Sequence, residues 1–177
     1  APKLLAILVG DDPASQIYLR LKGEAARRVG VDFEKKEFPE NVDPQEVILE
    51  IERANRDDRV WGIMVQLPLP KESGIRNQEL GILGTIAPEK DIDCLTPHNL
   101  GLLVMGQPKF LPATVRAVLT IIHNSKFIIQ NSNVVVVGRS NIVGKPLALV
   151  LTNLGATVTI CHSNTKNLAG FTTKADI

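Results

Sequence analysis

Apolar positions along the chain follow two rhythms, short unbroken runs and longer stretches with helical spacing. Residues 4–9 form an unbroken run ended by Gly10, as expected of a strand buried on both faces. Asp12-Pro13 then predicts a helix start, with a carboxylate to accept from free N–H groups and proline at the first helical position. Ile17, Leu21, Ala25 and Val29 supply the expected inner face of that helix, and Gly30 closes it. Residues 31–38 read as a second strand. Asp43-Pro44 opens another helix reaching Asn55, with Val47, Ile48 and Ile51 directed inward. A third strand, 61–67, is broken by Pro68 and Pro70. Residues 77–86 predict a short helix, and 87–101 a loop rich in Pro and Asp. An apolar helix over 115–124 leads into a new unit: strand 134–137, glycine-bounded turn 138–144, helix 145–154, strand 156–161 and helix 167–174.

Strands alternating with helices imply parallel sheets, so the expected fold class is α/β with two α/β domains. The first is drawn over 1–112, the second over 113–177 as a partial Rossmann-like, NADP-binding domain. The chain stops at Ala175-Asp176-Ile177, where another strand of the second unit is due. Two strands with their helices leave a sheet edge open, and the expectation is a piece of a longer protein.

Composition narrows the function classes. Twenty basic side chains against nineteen acidic ones in 177 residues give a net charge of +1, without the clustered basic surface that nucleic acid requires. Apolar residues at 44% and charged residues at 22% are ordinary for a globular chain. The longest apolar runs are too short to cross a bilayer. No secretory or transit signal is read in Ala1-Pro2-Lys3-Leu4, so the cytoplasm is the default expectation. Cys94 and Cys161 are isolated, and His98, His123 and His162 are scattered; neither a disulfide framework nor a metal site is expected.

Gly138-Arg139-Ser140-Asn141-Ile142-Val143-Gly144 joins a buried strand to a helix, whose first N–H groups and dipole favour a phosphate. The alternative is a simple packing turn. Lys145 is wrongly spaced for a Walker loop, and Pro146 stands where a magnesium-binding hydroxyl is needed. After the next strand comes His162-Ser163-Asn164-Thr165-Lys166, without the carboxylate that usually holds the ribose of NAD. Ser163 and Arg139 suit a 2′-phosphate, which points to NADP. Ser163 and Thr165 also serve as candidate helix caps.

In the first domain, Tyr18 and Lys22 share a helix face. Gly10-Asp11-Asp12 and Gln66-Leu67-Pro68 end the first and third strands, where ligands of parallel sheets gather. Asp91-Ile92-Asp93 lies in an irregular loop; its carboxylates have turn-capping as their plainer role.

These motifs resemble those of the bifunctional methylenetetrahydrofolate dehydrogenase/methenyltetrahydrofolate cyclohydrolase family. The resemblance rests on Gly10-Asp11-Asp12-Pro13-Ala14-Ser15 with Tyr18 and Lys22, on Val65-Gln66-Leu67-Pro68-Leu69-Pro70, on Pro88-Glu89-Lys90-Asp91-Ile92-Asp93, and on the turn 138–144 with Lys145-Pro146. It spans essentially the whole chain in order and spacing. It implies oxidation of 5,10-methylenetetrahydrofolate by hydride transfer to NADP, then hydrolysis of the methenyl product to 10-formyltetrahydrofolate. Carried over by motif, Lys22 is the proton-transfer residue, Gln66 orients it, Tyr18 packs on the folate rings and Asp93 holds the pterin. Val65 and Leu67 join the substrate contacts. Gly138, Arg139, Ser140, Ile142, Val143 and Ser163 are the implied cofactor contacts, and the family is commonly a homodimer through its cofactor domain.

The residue types suit these roles. A proton acceptor has to be uncharged, and an amide such as Gln66 orients an amine without trapping it in an ion pair. An aspartate accepts from paired pterin nitrogens in bidentate fashion. Two other readings stand beside this one: a catalytically silent family member that only binds a ligand or partner, and a different NADP dehydrogenase acting on shikimate or an amino acid. The chain also departs from the family pattern. Cys94 stands where glycine is usual, which strains the loop if that position needs a positive φ. Pro112-Ala113-Thr114-Val115 replaces Pro-Cys-Thr-Pro.

Overall fold

The computed structural model describes residues 1–71 and 74–177 and divides them into two compact units, Ala1–Ile92 and Asp93–Ile177. The division precedes the 112/113 boundary drawn from sequence. The intervening segment carries Cys94 and Leu103, whose side chains are part of the second unit's core.

In the first unit the unbroken run becomes β1 (Lys3–Val9), the middle strand of a parallel sheet ordered β2-β1-β3, with β2 at Asp32–Phe38 and β3 at Val60–Val65. Residues 5–9 are all buried, because a middle strand is covered on both faces. Helices α1 (Pro13–Arg28) and α2 (Pro44–Arg56) fill the two connections. Both start as the Asp-Pro signature predicts: Asp12 Oδ2 accepts from Ser15 N at 2.8 Å, and Asp43 Oδ1 from Gln45 N at 2.9 Å.

The inner face of α1 differs from the expected one. Ser15, Leu19, Gly23 and Ala26 are buried, whereas Ile17, Leu21, Ala25 and Val29 are exposed. The reason is the helix–sheet distance. A Cβ on Gly23 would stand 2.9 Å from Phe33 Cδ1, so small residues bring α1 close to β2 and leave the apolar stripe outside. On α2, Val47 and Ile51 are buried and Ile48 is half-buried, as the spacing predicts. The predicted helix at 77–86 is a 3-10 turn, Ile75–Gln78, followed by α3 (Glu79–Gly84).

The second unit contains α4 (Pro97–Val104), α5 (Ala113–Asn124), β4 (Asn133–Val137), α6 (Gly144–Asn153), β5 (Thr157–Cys161) and α7 (Leu168–Thr172). Strands β4 and β5 pair in parallel, with Val137 opposite Cys161 at their carboxyl ends. Helix α4 lies in the segment expected to be a loop. Thr96 Oγ1 accepts from Asn99 N at 3.1 Å, and Pro97 takes the first helical position, the same local device as at Asp12-Pro13. Asn153 Nδ2 of α6 donates to Leu103 O of α4 at 3.0 Å. The core gathers Leu103, Val115, Ile122, Val136 and Leu151 around Cys94. Among the described residues no helix is long and apolar enough to cross a membrane.

Candidate functional site

The carboxyl ends of β1 and β3 lie next to each other because the two strands pair directly. Gln66 N donates to Ile7 O at 2.8 Å and continues the ladder, and the Leu67–Pro68 peptide, which is cis, turns the chain away. Gly10, at φ +83°, closes the end of β1; a Cβ there would stand 3.2 Å from Pro70 Cγ.

Lys22 and Tyr18 project from one face of α1, and the Lys22 Nζ stands 4.7 Å from the Tyr18 ring centroid. A cation over a ring at this separation contributes about 0.5–1 kcal/mol at an exposed site. The same Nζ reaches Met64 Sδ at 3.5 Å, so the amine is brought from α1 onto β3. Met64 is buried in the sheet; Gln66, two residues further on, takes the same side of the chain by strand alternation. Its Nε2 donates to Leu67 O at 2.8 Å, which leaves the amide oxygen for another donor. Val65 is buried, Leu67 half-buried and Tyr18 45% exposed, so the tyrosine ring is open to a ligand. Met64 as a neighbour of Lys22 was not legible in the sequence, where it is one more apolar residue of a strand.

The loop before Asp93 is held firmly. Ile63 N donates to Lys90 O at 2.8 Å, and Ile63 bridges Asp91, which is buried. Lys90 Nζ donates to Ala54 O at 3.0 Å, Asn55 O at 2.8 Å and Asp57 O at 2.9 Å, the carbonyls at the end of α2. Asp93 is half-buried and opens the second unit. At the next residue the chain does take a left-handed conformation: Cys94 has φ +55° and is fully buried. An L-residue there costs about 1–2 kcal/mol.

In the second unit, Gly138 N donates to Cys161 O at 2.8 Å, and the turn leaves β4 through Gly138 at φ +142°. Gly144 is required by close approach, because a Cβ there would lie 2.2 Å from Gly138 O. Ser140 Oγ accepts from Val143 N and Gly144 N, each at 3.2 Å, so this side chain caps the start of α6. Lys145 Nζ bonds Asn141 Oδ1 at 2.8 Å. Since Val137 and Cys161 are register partners, Arg139 and Ser163, each two residues further on, leave the same edge of the sheet. Both are exposed, and Ile142 is exposed beside half-buried Val143. The helix-cap reading of Ser163 and Thr165 does not hold. Helix α7 is capped by Asn167, whose side chain accepts from Gly170 N, while Thr165 Oγ1 accepts from His162 N at 2.8 Å within a turn. The close approach at Gly144 and the exposed Arg139 and Ser163 fit a dinucleotide with a phosphate on its ribose. Among the described residues no group of three His, Cys, Asp or Glu side chains stands where it could hold a metal ion.

The pattern described as "Tetrahydrofolate dehydrogenase/cyclohydrolase, catalytic domain" matches residues 1–93, and its companion "NAD(P)-binding domain" matches 112–177. The chain is 48% identical over 176 residues to the bifunctional protein FolD of Clostridium beijerinckii, covering 99% of this chain and 61% of that protein. Among solved structures, the N5,N10-methylenetetrahydrofolate dehydrogenase-cyclohydrolase of Trypanosoma brucei, complexed with NADP cofactor and inhibitor, is similar with a TM-score of 0.92 at 37% identity. That likeness covers 99% of this chain and 59% of that one. The FolD methylenetetrahydrofolate dehydrogenase/cyclohydrolase of Campylobacter jejuni is similar with a TM-score of 0.89 at 39% identity, covering 98% of this chain and 61% of that one. The chain thus spans about three-fifths of the length of the relatives it matches.

Fold and turn geometry define a two-unit α/β protein whose second unit is of the NAD(P)-binding class. Within that class, the chain belongs to the tetrahydrofolate dehydrogenase/cyclohydrolase family.

Proposed function

We propose that the complete protein oxidises 5,10-methylenetetrahydrofolate to the 5,10-methenyl compound with NADP and hydrolyses that product to 10-formyltetrahydrofolate. The observation that carries this reading is the Lys22 amine drawn over the Tyr18 ring and onto Met64, beside the strand end that bears Gln66. Tyr18 offers its ring face to the folate, and the amide oxygen of Gln66 accepts from the Lys22 amine and aims it. Val65 and Leu67 border the substrate, and Asp93 accepts from the paired nitrogens of the pterin.

When bound, NADP supplies the hydride acceptor. This chain's contribution to that step is alignment: Gly138, Ser140, Ile142 and Val143 shape the turn that receives the dinucleotide. Arg139 and Ser163 hold its 2′-phosphate. The protein works as a homodimer in the cytoplasm, with a small-molecule substrate and neither nucleic acid nor membrane as partner.

The test is Lys22→Met in the full-length enzyme. Hydrolysis of the methenyl compound is lost while NADP reduction with methylenetetrahydrofolate persists, because only hydrolysis needs a proton moved by that group. Equal loss of both activities would make Lys22 a binding residue instead. For the cofactor, Arg139→Ala raises the KM for NADP far more than that for NAD. An unchanged preference removes the phosphate role.

A further inference from the structure

Lys90 is half-buried, and its ammonium is spent on main-chain groups. Its ammonium has three donors, and main-chain carbonyls at the end of α2 accept from it at 2.8–3.0 Å: Ala54, Asn55 and Asp57. Asn55 adds a second tie between the same segments, donating to Thr85 O at 2.7 Å and accepting from Ala87 N at 3.0 Å. The backbone of Lys90 is also occupied: its N donates to Ala87 O at 2.8 Å, and its carbonyl accepts from Ile63 N at 2.8 Å. Two residues later Ile92 lies against Gly62, where even one added carbon would stand 2.7 Å from Ile92 Cγ2. Helix α2, strand β3 and the segment 85–92 are thereby fastened together, and the next residue is Asp93.

We propose that Lys90, seconded by Asn55, is a positioning residue for the pterin carboxylate: by fastening its own loop to the end of α2 it sets where Asp93 stands, without touching substrate. This rests on the folate reading of Asp93 given above. A half-buried ammonium whose donors are filled by carbonyls fixes a loop better than a flexible surface ion pair, since removing it takes the side-chain donor from Asn55 O and leaves the Ala54 and Asp57 carbonyls only their backbone donors, Asp57 N and Val60 N. A displaced carboxylate loses its hydrogen-bond geometry to the pterin, which weakens folate binding rather than the chemical step.

The experiment measures steady-state dehydrogenase kinetics of the full-length enzyme with Lys90→Met, Lys90→Arg and Asp93→Asn, together with amide hydrogen exchange. Lys90→Met raises the folate KM about tenfold, leaves the NADP KM and the turnover at saturating folate within about twofold, and speeds exchange of the Ile63 and Ile92 amides. Lys90→Arg keeps the charge, but its planar fork meets the converging carbonyls poorly, and its folate KM falls between those of parent and Lys90→Met. A folded Lys90→Met with an unchanged folate KM overturns the proposal, even if its melting temperature drops. Should Lys90→Met not fold, Lys90→Arg decides by the same criterion. Asp93→Asn separates the two ideas. If it raises the folate KM and the Lys90 variants do not, only the positioning role falls. If it has no effect, or the parent does not turn over folate, the reading of Asp93 falls and this proposal with it.

Discussion

Replacing Gly144 by alanine puts the cofactor turn to a quantitative test. The added Cβ would lie 2.2 Å from Gly138 O, 2.6 Å from Gly138 C and 3.0 Å from Arg139 N. These are main-chain atoms, so no side chain can rotate away, and the turn has to open by about 1 Å. Opening it strains the bond from Lys145 N to Ser140 O at 3.0 Å and the two bonds to Ser140 Oγ at 3.2 Å. Overpacking of this kind costs about 1–3 kcal/mol, and each weakened hydrogen bond adds about 0.5–1.5 kcal/mol. A total of about 3–7 kcal/mol lowers the melting temperature of a protein of the relatives' full length by about 5–12 °C. Thermal unfolding of the full-length protein, followed by calorimetry, reads the change, and the KM for NADP rises with it. Gly101→Ala in α4 is the control. Nothing lies within 4 Å of its Cβ and its φ is ordinary, so the change stabilises by about 0.5–1 kcal/mol. A Gly144→Ala protein that melts within about 1 °C of its parent would refute the close-approach argument.

Two other changes test the geometry elsewhere. Cys94→Val keeps an apolar residue in the core but places a β-branched side chain at φ +55°. A loss of about 1 kcal/mol is expected in urea unfolding, the added strain of β-branching where Cys94 already bears the cost of an L-residue, and an unchanged midpoint would mean that the loop does not hold this conformation. Asp57 titrates well below its ordinary value of 3.8, at about 2, because the Arg59 guanidinium and backbone N–H both donate to it. The folded-state value is depressed, so its contribution is complete above pH 3.8 and is lost as pH falls towards about 2. Asp57→Asn therefore flattens the fall of the urea midpoint across that window; a profile parallel to the parent's would count against the Asp57–Arg59 pair.

Sequence by itself determined the features whose causes are local. The Asp-Pro pairs at 12–13 and 43–44 start helices because a carboxylate and a fixed φ act within one turn of chain. The unbroken run at 4–9 became the middle strand because nothing polar allows either face to meet water. The glycines at 138 and 144 marked the turn because no other residue passes through it. The pairing of Tyr18 with Lys22 followed from helical spacing alone. The same Thr-Pro device at Thr96-Pro97 was open to view, yet α4 was lost among the surrounding prolines and aspartates.

Tertiary structure alone decided the rest, because those outcomes depend on partners far along the chain. Spacing displayed an apolar stripe on α1, but the close approach of Gly23 to Phe33 chose the opposite face for burial. Lys90 reads as one more surface cation until the fold carries the end of α2 to it. Met64 meets Lys22 only after β3 pairs beside β1 under α1. A side chain's local preferences are written in its neighbours; the carbonyl, sulfur or ring it finally meets is set by which segments the core brings together.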